Sequence, residues 1–172
     1  AGTSLSGKKV CLIGFGNIGR CTARKLLAFN LEVCVSDPGF EKINGKIICK
    51  YNENIIVSEQ LQNVIITDLD NALKESDFII ITCALNKHTH HLINRENIMK
   101  TKKGVKIINV ARGPIVKEDD VVDLLREEFV SAVGFDVFPT EPLPKESKLR
   151  DFPQNFYGSH NGSNTIEAVD KT

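Results

Sequence analysis

Three side chains able to act together on an oxygenated carbon stand far apart in this sequence, each at the exit of an apolar run. Arg112 follows "GVKIINVA" and is itself followed by the strand breakers Gly113 and Pro114. Glu141 falls in "FDVFPTEPLP", behind Asp136, and His160 lies in "YGSHNGSNT". Histidine can take a hydroxyl proton and return it near neutral pH. A carboxylate beside it fixes the imidazole tautomer and stabilises its charged form. Arginine keeps its charge and offers a planar fork of donors that matches a carboxylate or polarises a carbonyl. Together they suit a redox step at an alcohol or ketone carbon, with hydride carried by a nicotinamide. Each residue alone reads equally well as a surface or capping group. Their common placement at strand exits is what argues for a site.

A second constellation supplies the cofactor. "GFGNIG" places Gly14, Gly16 and Gly19 directly after a strand and at the opening of a helix. The first glycine allows the tight turn, the second a close approach to a pyrophosphate, and the third close packing of helix on strand. Asp37 ends the next strand at the distance expected for a carboxylate that accepts from the adenosine ribose hydroxyls. Such a carboxylate repels a 2′-phosphate, and "DPGFEK" holds no arginine to receive one, so NAD is favoured over NADP.

The elements that must position these groups alternate strand and helix. "KKVCLIG" predicts a strand and "NIGRCTARKLLAFN" a helix with Ile18, Cys21, Thr22, Leu26 and Phe29 along one side. "LEVCVSD" predicts the second strand. Between Pro38 and Asn63 the pattern is weak, with a turn at "DPG", a short strand in "KIICKY" and then a polar helix or loop. "DLDNALKES" predicts a short helix capped by Asp68, "DFIIITCA" a strand, and "NRENIMKTKKG" a helix ending at Gly104. "VKIINVA" is the next strand, and "KEDDVVDLLREE" is a helix whose first-turn acids suit its dipole. "SAVGFDVF" and "NFYGSH" are the last strands, with a further helix starting at Asn164 or Thr165. Strands apolar throughout with helices between them predict a doubly wound α/β domain, a parallel sheet covered on both faces. Ligands in such sheets bind at the carboxyl edge, where Arg112, Glu141 and His160 all fall.

The chain is 172 residues long, enough for one domain with a real core, and residues 1–172 read as a single dinucleotide-binding domain. Its 22 basic residues balance 22 acidic ones, which argues against nucleic acid and an acidic membrane surface as partners. No apolar stretch is long enough to span a bilayer. The five cysteines have no CxxC spacing and read as reduced core residues, which predicts a cytoplasmic setting. His88, His90 and His91 in "HTHH" lack neighbouring ligands at metal spacing and read as solvated surface.

The stretches "GFGNIG", "NVARGPIVKEDDVVDLL", "FDVFPTEPLP" and "HNGSNT", with a looser match in "CALNKHTHHLIN", resemble the NAD-binding domain of the D-isomer-specific 2-hydroxyacid dehydrogenases. The resemblance implies that Arg112 binds the substrate carboxylate and carbonyl, Glu141 partners the histidine, and His160 is the general acid–base. It implies also that Asp136 faces the nicotinamide. The expected NAD contacts are Gly14, Gly16, Asn17, Ile18 and Gly19 in the turn, and Asp37 after the second strand. Thr82, Cys83, Ala84 and Thr89 follow after "DFIII", then Val110, Ala111 and Arg112, then Asp136, His160 and Gly162.

The sequence departs from the family pattern in "ALN" (Ala84 to Asn86) where Pro-Leu-Thr is common, and in Ser159 where proline usually precedes the histidine. Asn161 replaces a common apolar residue, and the segment after Asp37 is longer than usual. "HNGSNT" is similar to the ending of the phosphoglycerate dehydrogenase branch, so 3-phosphoglycerate is among the 2-hydroxy and 2-keto acids the resemblance admits as substrate. Family members carry a second, smaller substrate domain, and this chain begins almost at its first strand. It therefore reads as a cofactor domain separated from a longer two-domain parent, able to bind NAD(H) with little or no turnover of its own. A homodimer formed through this domain is the family expectation. The alternative is an NAD-sensing module of the corepressor kind, which uses the same fold and motifs without metabolic turnover.

Overall fold

The computed structural model describes residues 3–166. Seven parallel strands form the sheet, in chain order β1 (Lys9–Ile13), β2 (Glu32–Ser36), β5 (Ile65–Ile66), β6 (Phe78–Ile81), β7 (Val105–Asn109), β8 (Val130–Phe135) and β9 (Phe156–Tyr157). Their spatial order is β5-β2-β1-β6-β7-β8-β9, so the direction of winding reverses between β1 and β6. At that switch point the connections leave on opposite sides, which opens a crevice at the carboxyl edge. A separate antiparallel hairpin, β3 (Phe40–Ile43) and β4 (Lys46–Cys49), follows β2.

Alternation along β1 builds two cores. Val10 and Leu12 pack with Ala23, Val33 and Val35 on the side of helix α1 (Asn17–Ala28). Cys11 and Ile13 pack with Ile79, Ile81 and Ile107 on the other side. There they meet α2 (Leu69–Leu73), α3 (Arg95–Ile98) and α4 (Glu118–Arg126), the last through Val121, Val122, Leu124 and Leu125. Each fully buried aliphatic of this kind stabilises the fold by roughly 1.5–3 kcal/mol before chain entropy is subtracted.

Four expectations need correction. The buried stripe of α1 is Gly19 and Ala23 with Leu26 and Leu27 half-buried, while Ile18 and Phe29 are each 60% exposed and Cys21 is exposed. Gly19 is the cause. A Cβ on it would sit 2.2 Å from the Gly14 carbonyl oxygen, so the helix touches the β1 exit there and the 3.6-residue period turns Ile18 outward. The helix expected to run to Gly104 ends at Ile98, and the Thr101 hydroxyl donates to the Ile98 carbonyl at 2.7 Å, with turns continuing to Gly104. Among the described residues the sheet is fully covered on one face only. Over β6 to β8 the opposite face, with Ile80, Ile108 and Ala132, is half-buried, the strands that α1 packs against being β1 and β2. Finally, the weak region from Pro38 holds a true hairpin rather than a lone strand, and β5 pairs with β2 at the sheet edge. The helix expected from Asn164 or Thr165 lies largely outside the described residues. Among the described residues no helix is long and apolar enough to cross a membrane.

Candidate active site and cofactor cleft

The glycine turn is shaped by what presses on it. Gly14 has φ +94°, and a Cβ there would lie 2.7 Å from the Cys83 nitrogen, so both its conformation and the approach of the β6 exit exclude a side chain. Gly16, at the start of α1, has open space around it and no side-chain cap, which leaves the helix N–H groups accessible to an anion. Arg20 braces the turn by donating to the Phe15 carbonyl (3.0 Å) and the Asn17 side chain (2.7 Å). Across the switch point, the Thr82 hydroxyl lies 3.1 Å from the Ile13 carbonyl oxygen and 3.0 Å from that of Gly14, and so ties β6 to β1.

Asp37 closes the second strand with both carboxylate oxygens anchored. Oδ2 accepts the Phe15 N–H at 2.7 Å and Oδ1 the Gly39 N–H at 2.8 Å. Each oxygen retains a lone pair for a further donor. A cleft of about 620 Å³ runs from this carboxylate past Gly14 and Gly16 to Cys83, Ala84 and Thr89. A second cleft, of about 540 Å³, is lined by Ile18, Val110, Ala111 and Arg112 and shares Thr82, Cys83 and Ala84 with the first. Together they form one trough across the switch point, of a size and chemistry that fit the two halves of a dinucleotide. Burial pushes the Cys83 thiol up to about 11, so it lines the trough as a neutral group. The "ALN" loop is held without proline: the Thr89 hydroxyl donates to the Ala84 carbonyl (2.7 Å) and accepts the Asn86 N–H (2.8 Å).

The turn that carries Arg112 is held by a buried amide, and the Arg112 guanidinium donates to the Ala111 carbonyl at 2.6 Å. Asn109, 1% exposed at the end of β7, accepts the Ala111 N–H (3.0 Å) and donates to the Arg112 carbonyl (3.0 Å). The next residue, Gly113, abuts the chain before Glu141, since a Cβ on it would fall 1.9 Å from the Phe138 carbonyl carbon. The turn that carries Arg112 and the loop that carries Glu141 are therefore packed as one body. Glu141 accepts the Phe138 N–H at 2.9 Å through Oε1, and its Oε2 pairs with His160 Nδ1 at 2.7 Å. The bond to His160, then that to Phe138 and the nearby Arg112 charge, outweigh burial and hold the Glu141 carboxyl below the usual carboxylate range. With Nδ1 committed, Nε2 is the nitrogen left for proton exchange.

His160 itself sits in the left-handed region, φ +57°, on a loop organised by Asp136. Asp136 Oδ1 accepts the His160 N–H at 3.1 Å, and Gly158 and Gly162 pack against the same carboxylate. The two departures around the histidine pair with each other: Asn161 donates to the Ser159 hydroxyl at 2.7 Å, a clip across His160.

Arg112, Glu141 and His160 thus share one edge with the glycine turn; of the expected cofactor residues, Gly14, Gly16, Ile18, Asp37, Thr82, Cys83, Ala84, Thr89, Val110, Ala111 and Arg112 line the two clefts, whereas Asn17, Gly19, Asp136, His160 and Gly162 do not. The sequence reading missed His88, Asn86 and Leu92, which line the larger cleft, and the supports Asn109 and Gly113. "NVARG" and "CALNKHTHHL" were the signals available, as polar residues just beyond strand ends. His90 and His91 stack at 3.9 Å apart from the clefts, and among the described residues no cluster of ligands could hold a metal.

Comparison with known proteins identifies the family. Residues 1–162 match the family described as "D-isomer specific 2-hydroxyacid dehydrogenase, NAD binding domain". The chain is 36% identical over 167 residues to a glyoxylate reductase of Thermofilum pendens, covering 97% of this chain and 45% of that protein. It is 37% identical over 169 residues to a hydroxypyruvate reductase of Thermotoga maritima (97% and 50%), and 35% identical over 167 residues to a D-3-phosphoglycerate dehydrogenase of Bacillus subtilis (97% and 29%). The crystal structure of a glyoxylate reductase from Paecilomyes thermophila superposes with a TM-score of 0.82 at 29% identity, over 99% of this chain and 47% of that one. The chain spans about half the length or less of the curated relatives it matches.

Proposed function

Since the chain belongs to the D-isomer-specific 2-hydroxyacid dehydrogenase family through its NAD-binding domain, we propose that it is the cofactor half of an enzyme that moves hydride between NAD(H) and C2 of a small 2-hydroxy or 2-keto acid. The Glu141–His160 pair, 2.7 Å apart on the edge that carries Arg112 and the glycine turn, supports this reading most directly. Bound in the trough, the nicotinamide would supply the hydride chemistry. The chain's own groups do the rest. His160 gives a proton to the nascent alkoxide through Nε2, or takes it in the reverse direction. Glu141 keeps Nδ1 protonated and offsets the imidazolium charge. Arg112 pairs with the substrate carboxylate and polarises the carbonyl, from a turn whose backbone Asn109 holds. Asp37 accepts from the adenosine ribose, which favours NAD over NADP.

Relatives named glyoxylate, hydroxypyruvate and phosphoglycerate enzymes stand at nearly equal identity. The reading is accordingly of the acid class rather than of one acid. A homodimer and a cytoplasmic setting go with it, the latter supported by five free cysteines, although only Cys11 and Cys34 are buried, Cys49 and Cys83 being half-buried and Cys21 exposed. Fluorescence titration of the chain with NADH tests the cofactor role, and absence of saturable binding refutes it. In the full-length protein His160→Ala is expected to collapse kcat and leave NADH affinity nearly intact. Unchanged turnover would remove His160 from its role.

A further inference from the structure

We propose that Tyr51 is a further cofactor-contacting residue, which covers the 2′ side of the adenosine ribose and turns away a 2′-phosphate. The inference rests on the NAD reading above. It starts from the two anchored oxygens of Asp37. Oδ2 is held by the Phe15 N–H, inside the glycine turn, and Oδ1 by the Gly39 N–H, away from it. A dinucleotide with its pyrophosphate on that turn would set one ribose hydroxyl against each oxygen, and the 2′-hydroxyl, which carries the extra phosphate of NADP, would meet the oxygen turned away from the pyrophosphate.

Tyr51 stands on the Oδ1 side. A Cβ on Gly39 would lie 2.8 Å from Tyr51 Cε2, 3.0 Å from Tyr51 Cδ2 and 3.0 Å from Asp37 Oδ1. Ring and carboxylate oxygen therefore both lie against Gly39. The hairpin brings the ring there, because Phe40 pairs with Cys49 and the Lys50 N–H donates to the Gly39 carbonyl at 2.8 Å. Core packing does not explain the ring, which is 78% exposed. An exposed aromatic beside a ribose-binding carboxylate has a flat apolar face to offer a sugar and no charge to offer a phosphate. Of the neighbouring cations, the Lys42 amine is tied to the Gln62 carbonyl at 2.6 Å, and Lys50 is exposed next to the ring in the chain. Beyond Asp37, an adjoining cleft of about 520 Å³ is lined by the acids Glu41 and Asp68 together with Lys42. A 2′-phosphate beside Oδ1 would meet the ring where it needs room and the Asp37 carboxylate where it needs a donor.

The test is a titration of the chain with NADH and with NADPH, for wild type, Tyr51→Ala and Tyr51→Phe. Loss of the ring is expected to weaken NADH about fivefold. It is also expected to cut the preference for NADH over NADPH by about tenfold, since the space beside Oδ1 opens. Tyr51→Phe, which keeps the ring, should match wild type in both. The chain has two tyrosines and no tryptophan, so in a Tyr157→Phe background tyrosine emission reports Tyr51 alone and should be quenched by NAD. Wild-type preference and affinity in Tyr51→Ala would overturn the proposal while leaving the cofactor reading intact. Failure of the wild type to bind either nucleotide would overturn both.

Discussion

Replacing Gly113 by alanine is the sharpest way to ask whether the Arg112 turn and the Glu141 loop are a single body. The added Cβ would lie 1.9 Å from the Phe138 carbonyl carbon, 2.2 Å from its oxygen and 2.3 Å from the Pro139 nitrogen. All three obstacles are backbone, so no side chain can swing aside. Overpacking of this kind costs about 1–3 kcal/mol, and the rigidity of the obstacle argues for the upper end. At about 2–4 °C per kcal/mol for a chain of this length, Tm should fall by roughly 6–12 °C. Gly134→Ala is the matched control, since its Cβ would meet only Ile108 Cγ1, at 3.9 Å. Loss of unfolded-state freedom there should stabilise by about 0.4–1 kcal/mol, raising Tm by a few degrees. Thermal melts by circular dichroism measure both. The imidazole NMR signals of His160 should move in Gly113→Ala, because the loop that carries its partner Glu141 must retreat, and stay in place in Gly134→Ala. If the two variants melt together, or His160 is unmoved in Gly113→Ala, the shared-body argument is wrong.

Other outcomes follow from charge and burial. Glu141 is held low by His160 first and then by the Phe138 N–H. Its pairing should therefore be complete above the ordinary glutamate value of about 4.3 and be lost only as pH falls through its depressed value; a transition of the Glu141 side-chain carboxyl carbon, followed by NMR, at or above the ordinary value would contradict this. At Asp77, burial opposes the charge, but the Lys9 N–H (2.8 Å) and the amines of Lys102 and Lys8 outweigh it and hold the carboxyl low. Asp77→Asn should cost about 1–2 kcal/mol in urea unfolding at neutral pH, a difference that disappears as acid protonates the wild-type carboxylate; a loss independent of pH would point to packing instead. Burial pushes Cys83 to about 11 and Cys11 to about 12, whereas Cys21 is exposed. Alkylation near pH 8 followed by peptide mapping should label Cys21 first, and early labelling of Cys83 would mean its wall opens in solution.

Much of the fold was legible because β1, β6 and β7 are short apolar runs bounded by turn residues, and Asp68 is an N-cap that accepts the Asn71 N–H at 2.8 Å as its position predicts. The face of α1 was misread because its packing is carried by Gly19 and Ala23, and a search for large apolar residues passes over small ones. The hairpin after Asp37 had a signal that went unused: Asn44 and Gly45, with φ +49° and +79°, are the pair that tight hairpin turns demand. In the site, the glycine turn and Asp37 were readable from spacing, and Arg112, Glu141 and His160 from the rule that parallel strands exit on one edge. Tyr51, His88 and Gly113 were not. Gly113 owes its place to a segment distant in sequence, Tyr51 to the pairing of the hairpin, and His88 to the turn at Asn86.

Thr82, Cys83 and Ala84 are the common floor of both halves of the trough, and that floor has nowhere to sink, since Gly14 already lies beneath Cys83 with no room for one more carbon. Any substitution that lifts these three residues must narrow both chambers at once, so affinities for the adenosine end and the nicotinamide end should change in step rather than independently.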